Sequence, residues 1–140
     1  MIKRRQHVSG QAEAEYAADV ALADQFDDLL EAARTAEQAF RQAQAAGRPA
    51  DEVYPLARTL DSALTEAMRA AYAGQRAEIG PHGYDDRIFR RKARATSPVR
   101  AWTDEAERLL TLRESHRLTG IPPMPRTDLP AAGAVTHVPA

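Results

Sequence analysis

The stretch LADQFDDLLEAARTAEQAFRQA, residues 22–43, decides the fold, because its apolar residues return at alternating spacings of four and three. This spacing is the heptad pattern of a helix with one apolar seam. No proline or glycine occurs between Gln11 and Ala46, and Ser9 is a suitable N-cap, so we predict one continuous helix. The seam consists of Leu22, Phe26, Leu29, Ala33, Ala36, Phe40 and Ala43.

A second seam with the same spacing follows in VYPLARTLDSALTEAMRAAYAG, residues 53–74. The glycine and proline of residues 47–49 end the first helix, and those of residues 80–81 end the second. Because a short link makes two helices antiparallel neighbours, we predict a coiled-coil helical hairpin over residues 9–80. The second seam consists of Val53, Ala57, Leu60, Leu64, Ala67, Ala71 and Gly74.

Antiparallel pairing also predicts which seam residues face each other. We expect Leu64 to lie nearer Phe26, and Val53 or Leu56 to lie nearer Phe40. The alanines between these larger side chains let the two helix axes approach closely.

After the hairpin the sequence changes character. Residues 81–97 form a basic connector, with a short helix over residues 87–95 for which Asp85 is the expected N-cap. Residues 98–120 form a third helix, since the Ser-Pro pair at residues 97–98 is typical of a helix start. In that helix Trp102 is either a core anchor that ties the helix to the hairpin or an anchor in an interface.

Two arms flank these helices. Residues 1–8 form a basic N-terminal arm, and residues 121–140 contain five prolines, which exclude a helix or a central strand. We therefore predict an extended Pro-rich C-terminal arm. Its scattered apolar residues have little use in a free linker, so we expect Ile121, Met124 and Leu129 to bind grooves of a neighbouring subunit.

The composition supports an all-α fold and excludes several classes of protein. The 140 residues include no cysteine, which excludes disulfides and thiolate chemistry. The net charge is −1, so no overall positive field attracts the chain to nucleic acid. No apolar run is long enough to span a membrane. About a fifth of the residues are alanine, which favours helices with thin cores. Abundant arginine, two lysines and no asparagine indicate a high-GC genome, of a bacterium or of a phage.

The connector carries an arginine stripe at the spacing i, i+3, i+4, i+7. The planar guanidinium suits bidentate binding of phosphate or carboxylate. Three interpretations stay open: a contact with an acidic protein surface, a contact with a nucleic-acid backbone, or a solvated face with Ile88 and Phe89 packed inward. The stripe consists of Arg87, Arg90, Arg91 and Arg94.

Acidic residues and histidines give no catalytic or metal signature. The first helix has an acidic stripe, which is a solvated face, a docking surface for a basic partner or, least of all, half of a metal site. His82 with Asp85 and Asp86 is typical of a turn, and His116 lies at a helix end where a cation is favourable. The acidic stripe consists of Asp24, Asp27, Asp28 and Glu31.

These observations predict a non-enzymatic structural or assembly protein without catalytic residues, metal, cofactor or small-molecule ligand. We expect it to be cytoplasmic, to bind protein partners and to form a homo-oligomer or a larger particle such as a phage virion. The alternative is an accessory protein that binds a nucleic-acid backbone through residues 87–100 and the N-terminal arm.

Overall fold

A computed structural model describes residues 8–122, and every regular element within that range is a helix. The prediction of an all-α fold is therefore confirmed. The predictions for residues 1–7 and 123–140, which include the extended arm with Met124 and Leu129, lie outside the described residues. The elements are α1 (Gly10–Ala23), α2 (Phe26–Ala45), α3 (Ala50–Ile79), α4 (His82–Asp85), α5 (Arg87–Ala93), α6 (Ser97–Ser115) and a π-helical turn (His116–Gly120).

Helix α3 is the centre of the molecule, because α1, α2 and α6 make their most extensive contacts with it. All seven seam residues predicted in α3 are buried. Ala70, Ala73 and Gln75 are buried as well, so α3 is covered on more than the single face that a two-helix hairpin needs. The described chain is thus a bundle around α3, and α6 covers a face that the heptad pattern does not account for.

The first predicted helix is interrupted, which the sequence did not indicate. The amide of Gln25 bonds to the carbonyl of Leu22 at 3.0 Å, a spacing of three residues that tightens the chain as in a 3₁₀ turn. The helical path resumes at Phe26. Helix α1 then contacts α3 and α4, whereas α2 contacts α3, so tertiary packing overrides the helix propensity of the alanine-rich stretch.

The end of α3 near Gly74 is closed by an aromatic contact with α6. A Cβ atom added at Gly74 would come within 2.5 Å of Trp102 Cδ2, so the indole lies directly on the glycine backbone. Trp102 also meets Phe26 edge to face, with ring centroids 5.5 Å apart. The structure therefore places Trp102 against the core, as the anchor between α6 and the α2–α3 pair.

The contacts along α3 follow an antiparallel order. Phe26 shares Trp102 with Gly74, near the end of α3. Phe40 packs against His116, whose ring nitrogen lies 2.8 Å from the carbonyl of Ala57, near the start of α3. Phe26 thus lies towards the later part of α3 and Phe40 towards the earlier part, whereas the pairing of Leu64 with Phe26 and of Val53 or Leu56 with Phe40 stays a prediction.

A polar cluster joins α1, α3 and α4 near the closed end. The Asp19 carboxylate accepts two hydrogen bonds from the Arg76 guanidinium, at 2.8 and 3.0 Å, and one from the Tyr84 hydroxyl at 2.5 Å. Burial works to raise the pKa of Asp19, but the bonds from Arg76 and Tyr84 outweigh it and hold the pKa below its ordinary value. Burial and the Asp19 carboxylate raise the pKa of Tyr84 well above its usual range.

The caps of the helices differ from the predictions in two places. Ser9 caps α1 as predicted, but Asp85 does not cap the short helix: it accepts hydrogen bonds from the Ser9 amide and hydroxyl at 3.0 and 3.1 Å. Asp86 caps α5 instead, because its carboxylate accepts from the amides of residues 88 and 89. Helix α6 begins at Ser97, one residue earlier than predicted, with Thr96 in the N-cap position.

Candidate functional site

A cleft lies between α2 and α6, with α3 as its floor. Both helices pack on α3, and apart from the contact between Phe26 and Trp102 few of their residues come close to each other. The larger part of the cleft has a volume of about 470 Å³ and the smaller part about 150 Å³. Glu37, Leu64 and Leu112 line both parts, so the two parts are continuous.

The cleft combines an apolar floor with a charged rim. Leu60 and Leu64 of α3 form the floor and Phe40 lies on the α2 wall, and all three are buried. Leu112 on the α6 wall is the apolar lining residue that stays accessible, with 39% of its surface exposed. The rim is ion-paired along the helices, as in the Arg41–Glu37 pair at 3.5 Å. An apolar centre with a polar rim is the anatomy of a protein-binding surface.

The π-helical turn closes one end of the cleft through His116. This residue is buried, with only 8% of its surface exposed. Its Nε2 donates to the Ala57 carbonyl at 2.8 Å, and its ring packs edge to face on Phe40 with centroids 5.1 Å apart. The other face of the ring is covered by Gly120, where an added Cβ would lie 3.2 Å from His116 Cε1. His116 therefore fixes the turn whose Thr119 and Gly120 line the cleft.

The predicted arginine stripe forms a second surface on α5. All four of its arginines line one open cleft of about 350 Å³. Arg90 is half-buried and donates from Nη1 to the Gly83 carbonyl at 2.8 Å, so it holds the connector in place. The other three, Arg87, Arg91 and Arg94, are exposed and form no ion pair within residues 8–122.

The apolar residues beside the stripe do not both pack inward as one interpretation required. Ile88 is 68% exposed and adjoins the arginines along the surface of α5. Phe89 is half-buried and lies against the His82 ring, with centroids 5.7 Å apart. Helix α5 is thus attached to the rest of the bundle through Phe89 and Arg90. Its exposed surface includes Ile88 and the guanidinium groups of the other three arginines of the stripe.

The acidic residues of the first two helices have local roles. Asp24 is the C-terminal cap residue of α1, and Asp27 and Asp28 lie in the first turn of α2, where negative charge is favourable. Glu31 pairs with Arg34 at 3.5 Å. In the part of the chain that the structure describes, no group of three or more His, Asp or Glu side chains could hold a metal ion.

The remaining predicted site residues do not form one site. Trp102 lies near the start of α6, and Ile121 follows its other end, where its amide donates to the His116 carbonyl at 3.1 Å and its side chain packs on the core. Met124 and Leu129 lie outside the described residues. Sequence reasoning missed the cleft itself, although Leu112, three residues after Leu109 on the apolar stripe of α6, was a signal for it.

Comparisons with known proteins add no function to these surfaces. No protein family matches the sequence, and neither the curated proteins nor the solved structures include a significant match. Among residues 8–122, none of the helices combines the length and the apolar character that a membrane crossing requires.

Proposed function

We propose that the chain is a non-enzymatic assembly protein that associates with copies of itself through the cleft between α2 and α6. The observation that carries this proposal is the partly exposed Leu112 beside the floor residues Leu60 and Leu64. Two helices that lie on a third and stay apart leave room for one further element. A partner that enters the cleft completes the apolar packing.

Covering the cleft removes exposed apolar surface from water. Full burial of one leucine side chain contributes about 1.5–3 kcal/mol, so covering the 39% of Leu112 that is exposed contributes about 1 kcal/mol, and the rest of the affinity comes from the other contacts of the partner. The rim charges are already paired within their own helices, as for Arg34 with Glu31 and Arg41 with Glu37, so a partner need not leave them uncompensated.

The proposal also covers the pairing of α2 with α3, the role of the two arms and the place where the protein works. The α2–α3 pair is the antiparallel coiled-coil scaffold, and the arms of residues 1–8 and 121–140 make contacts between subunits. A cytoplasmic assembly or a large particle such as a virion is the setting that this design suits. The thin, alanine-rich core supports it, because a chain with little core of its own gains stability from partners.

Sedimentation velocity over a range of concentrations tests the proposal. We expect the wild-type chain to form oligomers and the Leu112→Arg variant to sediment as a monomer of 15.4 kDa. Leu118→Arg is the matched control, since Leu118 is 83% exposed and does not line the cleft, and it should associate like the wild type. A wild-type chain that stays monomeric, or a Leu112→Arg variant that associates normally, would contradict the proposal.

Binding of a nucleic-acid backbone is the second candidate function. The observation that favours it is the α5 surface, where Arg87, Arg91 and Arg94 stand around one open cleft without ion pairs in the described residues. Bidentate arginine contacts to phosphate position a protein on nucleic acid without reading its sequence.

Fluorescence anisotropy with random duplex and single-stranded DNA tests this second function. Binding should weaken steeply with salt, and replacing the three arginines by alanine should reduce the salt dependence by about three counterions. Alanine at Arg48 and Arg69, which are paired with glutamates of α3 and do not line the cleft between α2 and α6, is the control. The absence of binding at low salt would exclude this function.

A further inference from the structure

We propose that the cleft of one copy binds the C-terminal segment, residues 123–130, of a second copy. This inference rests on the proposed function and names the occupant of the cleft. The segment reads PMPRTDLP and lies outside the described residues. Four observations support it: where the described chain leaves the bundle, the prolines that follow, the spacing of the apolar residues and the charges between them.

The described chain ends beside the cleft. Thr119 and Gly120 line it, and Ile121 is held by its amide bond to the His116 carbonyl and by packing on the core. The segment that follows therefore starts from a fixed point at the end of α6. In order to enter its own cleft, it would have to reverse direction at once and run back along α6.

The prolines oppose such a reversal. Proline fixes φ at its own position and disfavours a helical conformation of the residue before it, and the segment contains Pro122, Pro123 and Pro125. The sequence of residues 121–125 therefore favours an extended chain, which advances about 3.1 Å per residue in polyproline II. The segment is consequently suited to the cleft of a neighbouring copy.

The apolar residues of the segment match the length of the cleft. Met124 and Leu129 are five residues apart, which is about 15 Å in an extended chain. Leu30 and Phe40 are the first and the last apolar residues of α2 that line the cleft, and they are ten residues apart in a helix, also about 15 Å.

The polar groups of the segment also suit this site. Proline has no amide hydrogen, so a proline-rich segment brings few backbone donors that need partners, and Glu37, Gln44 and Ser115 in the lining of the cleft can accept those that it does bring. Between the two apolar residues lie Arg126 and Asp128, one charge of each sign. The rim of the cleft offers both signs in return, with Glu37 and Arg108 on opposite walls.

Complementation between two full-length variants tests the proposal. The cleft variant is Leu112→Arg, and the arm variant carries Met124→Arg with Leu129→Arg. Each alone should lose association and sediment at 15.4 kDa. An equimolar mixture should regain a species of twice that mass, since the cleft variant supplies an intact arm and the arm variant supplies an intact cleft.

Two control variants keep the test interpretable. Thr127→Arg adds the same charge to the arm without removing an apolar side chain, and it should associate within about threefold of the wild-type dissociation constant. Ser115→Arg blocks the same cleft wall from an exposed position, and it replaces Leu112→Arg if that variant loses helicity by circular dichroism.

The outcomes separate this inference from the proposed function. If the arm variant associates normally while the cleft variant does not, the cleft has another occupant: the assembly function stands and this inference is wrong. A mixture that stays monomeric although each variant alone has lost association places the arm in its own cleft and also overturns the inference. If the cleft variant associates normally, the proposed function itself fails.

Discussion

The two parts of the α3 surface that meet α6 are packed in opposite ways. Near Gly74 the indole of Trp102 lies on the glycine backbone and meets Phe26, so α2 and α6 are joined through aromatic rings. Farther along, over Leu60 and Leu64, the same two helices stand apart and leave a cleft. The closed region holds the bundle together, and the open region leaves apolar surface for a partner.

Polar contacts reinforce this contrast. The Asp19–Arg76–Tyr84 cluster ties α1 and α4 to α3 near the closed region. In the open region, the Arg117 guanidinium of the π-helical turn pairs with the Asp61 carboxylate of α3 at 2.6 Å. Substitutions in the closed region should therefore act on stability, and substitutions in the cleft should act on association.

The largest effect on stability is expected from Trp102→Ala. Removal of the indole leaves a cavity over Gly74 and takes away the ring contact with Phe26, which should cost about 3–5 kcal/mol of unfolding free energy. Leu112→Ala in the cleft should cost less than about 1 kcal/mol, because that side chain is already partly exposed. Urea unfolding of the two variants measures the difference. Equal losses would remove the contrast between the two regions.

Gly74→Ala tests the same contact from the other side. The new Cβ would collide with Trp102, and the resulting overpacking should destabilise the fold by about 1–3 kcal/mol, although alanine is the better helix former. Ala77→Gly on the same helix measures how much a difference in helix propensity alone changes the unfolding free energy, about 1 kcal/mol. A stabilised Gly74→Ala variant would show that the indole does not lie on the glycine.

The pH dependence of stability should carry the signature of Asp19. Its pKa is lower in the folded chain than the unfolded value of about 3.9, so its contribution is fully present above that pH and is lost as pH falls through the folded pKa. Asp19→Asn should cost about 1–3 kcal/mol at pH 7 and progressively less as the pH is lowered below about 4. Urea titrations at a series of pH values check this. A constant cost would mean that the carboxylate charge is irrelevant.

The smallest effect on stability is expected on α5. Alanine at Arg87, Arg91 and Arg94 should change the unfolding free energy by less than about 0.5 kcal/mol per site, because the three side chains are exposed and make no ion pair in residues 8–122. Arg90→Ala should cost more, since Arg90 donates to the Gly83 carbonyl. A large loss at the three exposed positions would make the stripe structural rather than a binding surface.

Several local features of this fold were predictable from the sequence, and the long-range ones were not. Heptad spacing identified seven of the eleven buried residues of α3, and Ser9 identified the start of α1, because both depend on neighbours within a few turns. The docking of α6 depends on contacts 28 to 59 residues apart, such as Gln75 with Thr103 and Ala57 with His116. No local pattern encodes such distances.

The candidate sites follow the same division. The arginine stripe was predictable, because four like residues at helical spacing share a face wherever the helix lies. The burial of His116 and the exposure of Leu112 were not, since each depends on where α6 sits on α3. The cleft is a property of three helices together, which the pairing of two seams does not contain.

The protection of a single thiol in the cleft tests the central claim most directly. The sequence has no cysteine, so Leu112→Cys introduces a unique thiol, and Leu118→Cys provides one outside the cleft. The rate of reaction with a thiol reagent is measured as the protein concentration is raised through the range of association. We expect the rate at residue 112 to fall at least tenfold relative to the dilute protein, while the rate at residue 118 stays constant. Equal rates at all concentrations, in a chain that does associate, would show that the cleft is not the surface through which it assembles.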